Sequence, residues 1–304
     1  MKLFILALTA VSAVSAAHAT DKRHVVIFKS EQGYQAMDNY YKTTESAAQK
    51  MEQSLENVQA IVLKSATESE VQSLRNHPEV AVVEAEFMHP SPKPLNGFRI
   101  SRVSRYESLL RNRVPRLRSN QPKTPWGIHA VKAGPAWRNS DAGAGARVMI
   151  LDTGVDKDHP ALKRNFEAGK NFVEENGEVN PALFDDKEGH GTHVAGTIAG
   201  AYDRRTGFTG VAPSAKFLMG RVCGAQGCSS IAIIEGINWG IKKRVDVISM
   251  SLGGPVGSPA EQAAVEKADK KGIVVVAASG NGAGHPEYSP DKNQEKCLSG
   301  EYSG

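Results

Sequence analysis

Residues 188–197 read EGHGTHVAGT, and the rest of the chain is organised around this stretch. His190 lies between two glycines, whose missing Cβ atoms leave room for another backbone or a substrate to approach. The small side chains from Val194 to Ala199 predict a helix that begins near His190. A histidine at a helix start can carry a proton near neutral pH, although the same pattern also fits a capping residue. His190 and His193 form an H-x-x-H pair without a glutamate between them, so a metal site is not expected.

Two short apolar runs end in polar residues that could join this histidine. Residues 147–151 end at Asp152, and residues 272–278 end shortly before Asn281. Each run is typical of a buried strand in a parallel sheet. The carboxyl ends of such strands meet at one edge, where open α/β sheets build their sites. We therefore expect the aspartate, the histidine and the asparagine to form a catalytic cluster.

Four segments, in this order, resemble the motifs of subtilisin-like serine proteases (subtilases). They are LDTGVD at 151–156, HGTHVAG at 190–196, SLGG at 251–254 and AASGN at 277–281. The resemblance implies an α/β fold: a parallel-sheet, subtilisin-like protease domain, incomplete in this chain, preceded by a small α+β ferredoxin-like propeptide. It also implies a secreted serine endopeptidase that hydrolyses peptide bonds by an Asp-His-Ser triad and is made as an autoinhibited precursor.

The resemblance assigns a role to each motif. Asp152 would accept a hydrogen bond from His190, and His190 would take the proton of the attacking serine. Asn281 would donate its side-chain amide to the developing oxyanion. The implied substrate-binding residues are Ser251, Leu252, Gly253 and Gly254 at the cleft edge, which would form a strand, and Ala278, Ser279 and Gly280 before Asn281.

The nucleophile is the missing part. In the family it lies in a Gly-Thr-Ser-Met-Ala motif, which the 304 residues do not contain, and Ser299 and Ser303 stand in other contexts. The chain as written is therefore expected to be inactive, and the alternative to a protease is a catalytically dead, inhibitor-like binding fragment. A phosphoryl-transfer enzyme built on Asp152 is disfavoured, because the glycines at 143–145 precede its strand instead of following it.

The N-terminal residues predict export. Residues 1–19 have the basic start, apolar run and Ala-x-Ala end of a signal peptide, so we expect an extracellular or periplasmic protein. The apolar run is too short for a stable membrane span. Three cysteines fit an oxidising compartment. We favour a disulfide between Cys223 and Cys228, which leaves Cys297 without an evident partner.

Two further regions separate the signal peptide from the peptidase domain predicted at 124–304. Residues 20–90 predict a compact unit of strand, helix, strand, helix and strand, in which 35–56 is mostly helical and 67–70 forms a capping box. Its place before the subtilase motifs implies an inhibitory propeptide. Residues 91–123 form an arginine-rich linker or processing region.

Composition limits the expected partners. The formal net charge of +4 does not argue for nucleic acid. The expected partners are a polypeptide substrate and the chain's own propeptide as an intramolecular inhibitor, in a monomer. No cofactor is expected: the family can bind calcium, but Ala161 stands where many relatives carry an acid, and Arg204 and Arg205 stand where a cation ligand would be expected.

Overall fold

The structure is a computed structural model that describes residues 19–20, 22–92, 124–203, 208–254 and 257–280. Several sequence predictions fall outside the described residues: the signal peptide up to residue 18, the linker from residue 93, Arg204, Arg205, Asn281 and Cys297. The described residues form two units, one within 19–92 and one within 124–280.

The first unit is an antiparallel sheet with helices on one face. Its elements are β1 (Ala19–Thr20), β2 (His24–Phe28), α1 (Glu31–Thr43), α2 (Glu45–Ala48), β3 (Met51–Leu55), β4 (Ala60–Leu63), β5 (Ala66–Thr67), α3 (Glu68–Arg75), β6 (Val80–Ala85) and β7 (Met88–His89). The main sheet has the order β3-β4-β2-β6, and every neighbouring pair is antiparallel. Strand, helix, two strands, helix and strand is the chain order of a ferredoxin-like split βαβ unit.

The prediction of a mostly helical segment at 35–56 was wrong at its C-terminal end. Helix α1 ends at Thr43, and after the single turn of α2 the chain forms β3. The sequence of β3, MEQSL, has no apolar alternation, so its strand form depends on pairing with β4. The predicted capping box is confirmed: Thr67 Oγ1 accepts from the Glu70 amide, and the Glu70 carboxylate accepts from the Thr67 amide.

The second unit is built on a parallel sheet. Its elements are α4 (Trp126–Ala130), α5 (Ala133–Ser140), β8 (Arg147–Asp152), β9 (Phe166–Asn171), α6 (His190–Ala199), β10 (Lys216–Arg221), β11 (Cys223–Gly224), β12 (Gly227–Ser229), α7 (Ser230–Lys243), β13 (Val247–Met250), α8 (Pro259–Asp269) and β14 (Val274–Ala277). The sheet has the order β14-β13-β8-β10-β9, with all neighbours parallel. The predicted α/β parallel sheet is confirmed. Within the described residues, every helix is too short or too polar to cross a membrane.

Strand β9 lies between β8 and α6, where the sequence does not indicate a strand. Its sequence, FEAGKN, carries few apolar side chains, and the strand lies at the edge of the sheet beside β10. Gly169 accommodates the ring of Phe184, which a Cβ atom at that position would approach to 2.4 Å. Pairing with β10 and this aromatic cover therefore define the strand.

The two units share a hydrophobic core. In β2, Val26 and Phe28 are buried among side chains of α1 and α3. Val25 and Ile27 point the other way and belong to the same core cluster as Ile237 of α7. The period-2 alternation of one strand thus serves two cores. As a result α7 is buried over most of its circumference, against its own sheet on one side and the first unit on the other.

Candidate active site

Asp152 is the last residue of β8, the central strand of the parallel sheet, and it is completely buried. Strands β13 and β10 flank it, so its side chain leaves the sheet at the carboxyl edge. Its Oδ1 accepts a hydrogen bond from the Thr153 amide at 2.7 Å and lies 2.7 Å from His190 Nδ1. The strand therefore delivers a carboxylate to the edge at which the sequence predicted a site.

His190 is the first residue of α6 and is half-buried. It follows Gly189, which has a φ of +85° and turns the chain into the helix. The hydrogen bond to Asp152 raises the pKa of His190, while burial of the ring opposes this shift. An ionised Asp152 makes Nδ1 the donor, which leaves Nε2 to accept a proton. The pair therefore has the geometry of an oriented general base.

Asp186 is a second acid at this site, and sequence reasoning missed it. Its Oδ1 accepts from Thr153 Oγ1 at 2.9 Å and from the Gly189 amide at 2.8 Å, and its Oδ2 accepts from the Thr192 amide at 2.8 Å. Burial opposes ionisation, but these hydrogen bonds outweigh it and lower the pKa of Asp186. Aspartates favour turns in which the side chain accepts from the amide two residues on, as Asp186 does from Glu188, and this preference is the signal that could have identified it.

Thr153 joins this acid to the catalytic pair. Its hydroxyl donates to Asp186 and accepts from the Gly191 amide at 2.9 Å. The end of β8 and the first turn of α6 are therefore linked through one side chain. This network holds His190 next to Asp152 without using either of their reactive atoms.

The two predicted substrate-binding segments follow strands of the same sheet. Residues 251–254 continue from β13 as irregular chain, so the predicted strand at these positions ends at Met250 instead. Leu252 is buried in the shared core, whereas Ser251, Gly253 and Gly254 are half-buried. Ala278, Ser279 and Gly280 follow β14 and are exposed. Both segments lie at the carboxyl edge of the sheet: residues 251–254 follow the strand next to β8, and residues 278–280 follow the strand beyond it.

A disulfide lies at the same edge. Cys223 of β11 and Cys228 of β12 are joined with an S–S distance of 2.03 Å. This hairpin follows β10 directly, and the amide of Val222 donates to the carbonyl oxygen of Asp152 at 2.9 Å. The disulfide therefore fixes a hairpin beside the buried carboxylate.

No group of three or more potential metal-ligating side chains occurs within the described ranges, and the expectation of no cofactor stays a prediction.

Strand β7, near the end of the first unit, adds to the β11–β12 hairpin as a third strand. Strand β7 pairs antiparallel with β12, which places His89 opposite Cys228 and Met88 opposite Ser229. The carbonyl of Phe87 accepts from the amide of Ser230, the first residue of α7, at 3.0 Å. The chain beyond β6 thus lies along the carboxyl edge like a bound peptide.

Comparison with known proteins places these features in a family context. The subtilase family profile, peptidase S8, matches residues 143–299, just over half of the chain. The major intracellular serine protease of Bacillus subtilis strain 168 is 46% identical over 159 residues, which is 52% of this chain and 49% of that protein. The intracellular serine protease of Paenibacillus polymyxa is 46% identical over 158 residues, 52% of this chain and 48% of the relative. Subtilisin E of Bacillus subtilis strain 168 is 44% identical over 158 residues, 52% of this chain and 40% of the relative. The chain spans about half the length, or less, of these curated relatives.

Proposed function

This chain belongs to the subtilase family, and from this we propose that the whole protein is a serine endopeptidase in which Asp152 and His190 are two members of the catalytic triad. The observation that carries the proposal is the 2.7 Å contact between a completely buried carboxylate and the imidazole at a helix start. Such a pair is the base that an Asp-His-Ser mechanism needs. The activity is proposed for the whole protein, because the matched residues amount to about half of each curated relative or less.

In the proposed mechanism His190 accepts a proton and then donates it, once when the acyl-enzyme forms and once when it is hydrolysed. A serine hydroxyl gives its proton to Nε2 as its oxygen attacks the peptide carbonyl carbon. The imidazolium that forms is stabilised by Asp152 and then protonates the leaving amine. Water hydrolyses the acyl-enzyme by the same sequence of proton transfers. Asn281 is the proposed donor to the oxyanion.

We further propose that residues 20–90 are an inhibitory propeptide, residues 1–19 a signal peptide, 91–123 a processing region and 124–304 part of the peptidase domain. Contacts between the two units support the inhibitory role. The Glu84 carboxylate accepts from Ser258 Oγ at 2.6 Å and thereby acts at the N-terminus of α8. The backbone amide of Asn57 donates to Asn238 Oδ1 at 2.9 Å. These contacts would hold the first unit on the second, so that β7 on the hairpin blocks a peptide from the site.

Secretion belongs to the same proposal. The signal-peptide pattern supports it, and so does the disulfide, because disulfides persist in oxidising compartments. Two of the relatives carry the word intracellular in their names, which favours the opposite location. Fractionation of the native host decides this point: recovery of the protein from the medium or periplasm supports export, and recovery from the cytosol contradicts it.

A fluorophosphonate probe tests the catalytic proposal, because it reacts only with a serine that a triad has activated. The protein is captured from its native source with antibodies raised against the second unit, with and without the substitution His190→Ala. We expect the wild-type protein to be labelled and the variant to lose at least about 10³-fold in labelling rate. Equal labelling of the two proteins would refute the assigned base. No labelling of either would favour the alternative, a catalytically dead, inhibitor-like binding protein.

A further inference from the structure

The first unit inserts a histidine into a closed pocket of the second unit. His89 and Glu261 are 2% and 1% exposed, and His89 Nε2 lies 2.8 Å from Glu261 Oε1. This pair is separate from Asp152 and His190. A buried carboxylate is costly unless a partner compensates it, so its occurrence in this contact requires an explanation.

The pocket is formed by α8, the segment after β13 and the β11–β12 hairpin. Glu261 lies in the first turn of α8, where its amide donates to Ser258 Oγ at 3.0 Å. Gly254 forms one wall, since a Cβ atom there would lie 2.4 Å from His89 Nδ1. Apolar side chains line a small cavity together with Glu261: Ile233, Ile237, Met250, Leu252, Val265 and Ala277. Glu261 therefore contacts His89 and also borders a cavity whose other lining side chains are apolar.

The backbone around His89 is held in a way that does not depend on its sequence. Strand β7 pairs antiparallel with β12, and the amide of Ser230 donates to the carbonyl of Phe87 at 3.0 Å. Any extended peptide can form such main-chain hydrogen bonds, and the pockets for its side chains then supply selectivity. The hairpin adjoins Asp152 through the hydrogen bond from Val222. A peptide presented to the catalytic pair would therefore bring one side chain into the pocket of Glu261.

We propose that Glu261 is a specificity-determining residue that selects a basic side chain, histidine, lysine or arginine, in an extended peptide bound along the β11–β12 hairpin. This inference rests on the proposed function. His89 is the chain's own occupant of the pocket, and a basic side chain of the substrate replaces it when the first unit leaves.

The electrostatics of the pocket support this selection. Burial raises the pKa of Glu261, and the hydrogen bond from His89 works against that rise. A basic occupant therefore stabilises the ionised carboxylate, whereas an apolar one leaves a buried polar group without a partner. An acidic occupant would add a second negative charge. Basic, apolar and acidic side chains therefore differ in how well they compensate the carboxylate of Glu261, and this difference, rather than the size of the pocket, determines which of them binds.

The first experiment examines the 304-residue chain and requires no catalysis. Hydrogen exchange of the Ser230 amide reports whether β7 is docked. We expect His89→Lys to keep the slow exchange of the wild type, His89→Leu to accelerate it at least about 10-fold, and Glu261→Leu to restore slow exchange in the His89→Leu chain. If Glu261→Leu does not fold, the isosteric Glu261→Gln takes its place and should tolerate His89 but not His89→Lys. Slow exchange in His89→Leu with Glu261 intact would overturn the proposal.

The second experiment measures cleavage of a peptide library by the whole protein. We expect one position at which basic residues raise kcat/KM at least about 30-fold over leucine, and we expect Glu261→Gln to abolish this preference. Glu266→Gln is the matched control, because Glu266 is exposed on the same helix. A preference that survives Glu261→Gln would overturn the assignment.

The two experiments separate this inference from the function on which it rests. If no peptide is cleaved, the proposed activity fails, while hydrogen exchange still decides whether Glu261 selects a basic occupant. If peptides are cleaved without a basic preference, the activity stands and the role of Glu261 is refuted.

Discussion

Gly191 lies in direct contact with the backbone of Gly154: a Cβ atom on Gly191 would come within 2.2 Å of the Gly154 carbonyl oxygen and within 3.1 Å of Asp152 Oδ1. The first turn of α6 is therefore pressed onto the chain that leaves β8. Since His190 immediately precedes Gly191, this contact fixes the distance between the imidazole and the carboxylate. A larger residue than glycine does not fit at position 191, because the atom that its Cβ would meet belongs to the backbone of Gly154 and cannot move aside as a flexible side chain could.

The substitution Gly191→Ala should therefore separate His190 from Asp152. We expect labelling of the whole protein by a fluorophosphonate to fall at least about 100-fold, because a displacement of about 1 Å at a catalytic group has effects of that size. Gly134→Ala is the control, since nothing lies within 4 Å of its added Cβ. Wild-type labelling of Gly191→Ala would show that the contact is not what positions the histidine.

The pH dependence of activity should identify Asp152 as the partner of His190. The hydrogen bond to Asp152 raises the pKa of His190 above its ordinary value of 6.5, and the neutral ring is the base. Activity should therefore rise as the pH increases through this raised pKa. In Asp152→Asn we expect kcat to fall about 10⁴-fold and the midpoint of the remaining activity to move to lower pH. A midpoint that does not move would contradict the assigned hydrogen bond.

The part of the site that could be predicted from the sequence consists of local patterns. An apolar run before Asp152 and a small-residue helix after His190 indicate both elements, and the order of strands and helices then brings the two ends together. Strands β3 and β9 could not be predicted in the same way, because neither has an apolar alternation. Strand β3 depends on pairing with β4 across a loop, and β9 depends on pairing with β10, which is distant in sequence. The docking of β7 was also beyond local patterns, since the His89–Glu261 pair joins residues of different units.

Asp186 should stabilise the start of α6. In Asp186→Asn the amide nitrogen cannot accept hydrogen bonds, so one side of the network with Thr153 and Thr192 is lost. We expect the free energy of unfolding of the 304-residue chain to fall by about 2 kcal/mol in chemical denaturation. Asp158→Asn, an exposed acid near the same site, is the control.

The pH dependence of this loss has a defined sign. The folded-state pKa of Asp186 is lowered from 3.8, so its contribution is complete above 3.8 and disappears as the pH falls through the lower folded value. The difference in stability between wild type and Asp186→Asn should therefore shrink in acid. A difference that grows as the pH falls would contradict the hydrogen-bonded carboxylate.

The disulfide should stabilise the hairpin that holds β7. Cys223 and Cys228 are five positions apart, and closing so short a loop restricts the unfolded chain by about 2 kcal/mol. We expect Cys223→Ser with Cys228→Ser to lower the free energy of unfolding by about that amount and to accelerate hydrogen exchange of Ser230. The reduced wild-type chain is the matched comparison. Equal stability of the oxidised, reduced and substituted chains would show that the bond contributes nothing here.

Glu235 should make the contact between the two units weaker as the pH rises. It lies on α7 beneath the first unit, and burial raises its pKa to about 8 although Arg23 opposes the shift. Arg23 forms ion pairs with two carboxylates, since its Nη2 lies 2.8 Å from Glu52 Oε1 and 3.3 Å from Glu235 Oε1, so its charge compensates Glu235 only in part. The unfolded state releases this proton near pH 4.5 and the folded state near 8, so stability should decline between these values and level off above them. We expect Glu235→Gln to remove this decline in thermal unfolding of the 304-residue chain, whereas the exposed Glu266→Gln should retain it. Parallel pH curves for wild type and Glu235→Gln would show that this carboxyl does not carry the proton, and that Arg23 compensates its charge despite the competition from Glu52.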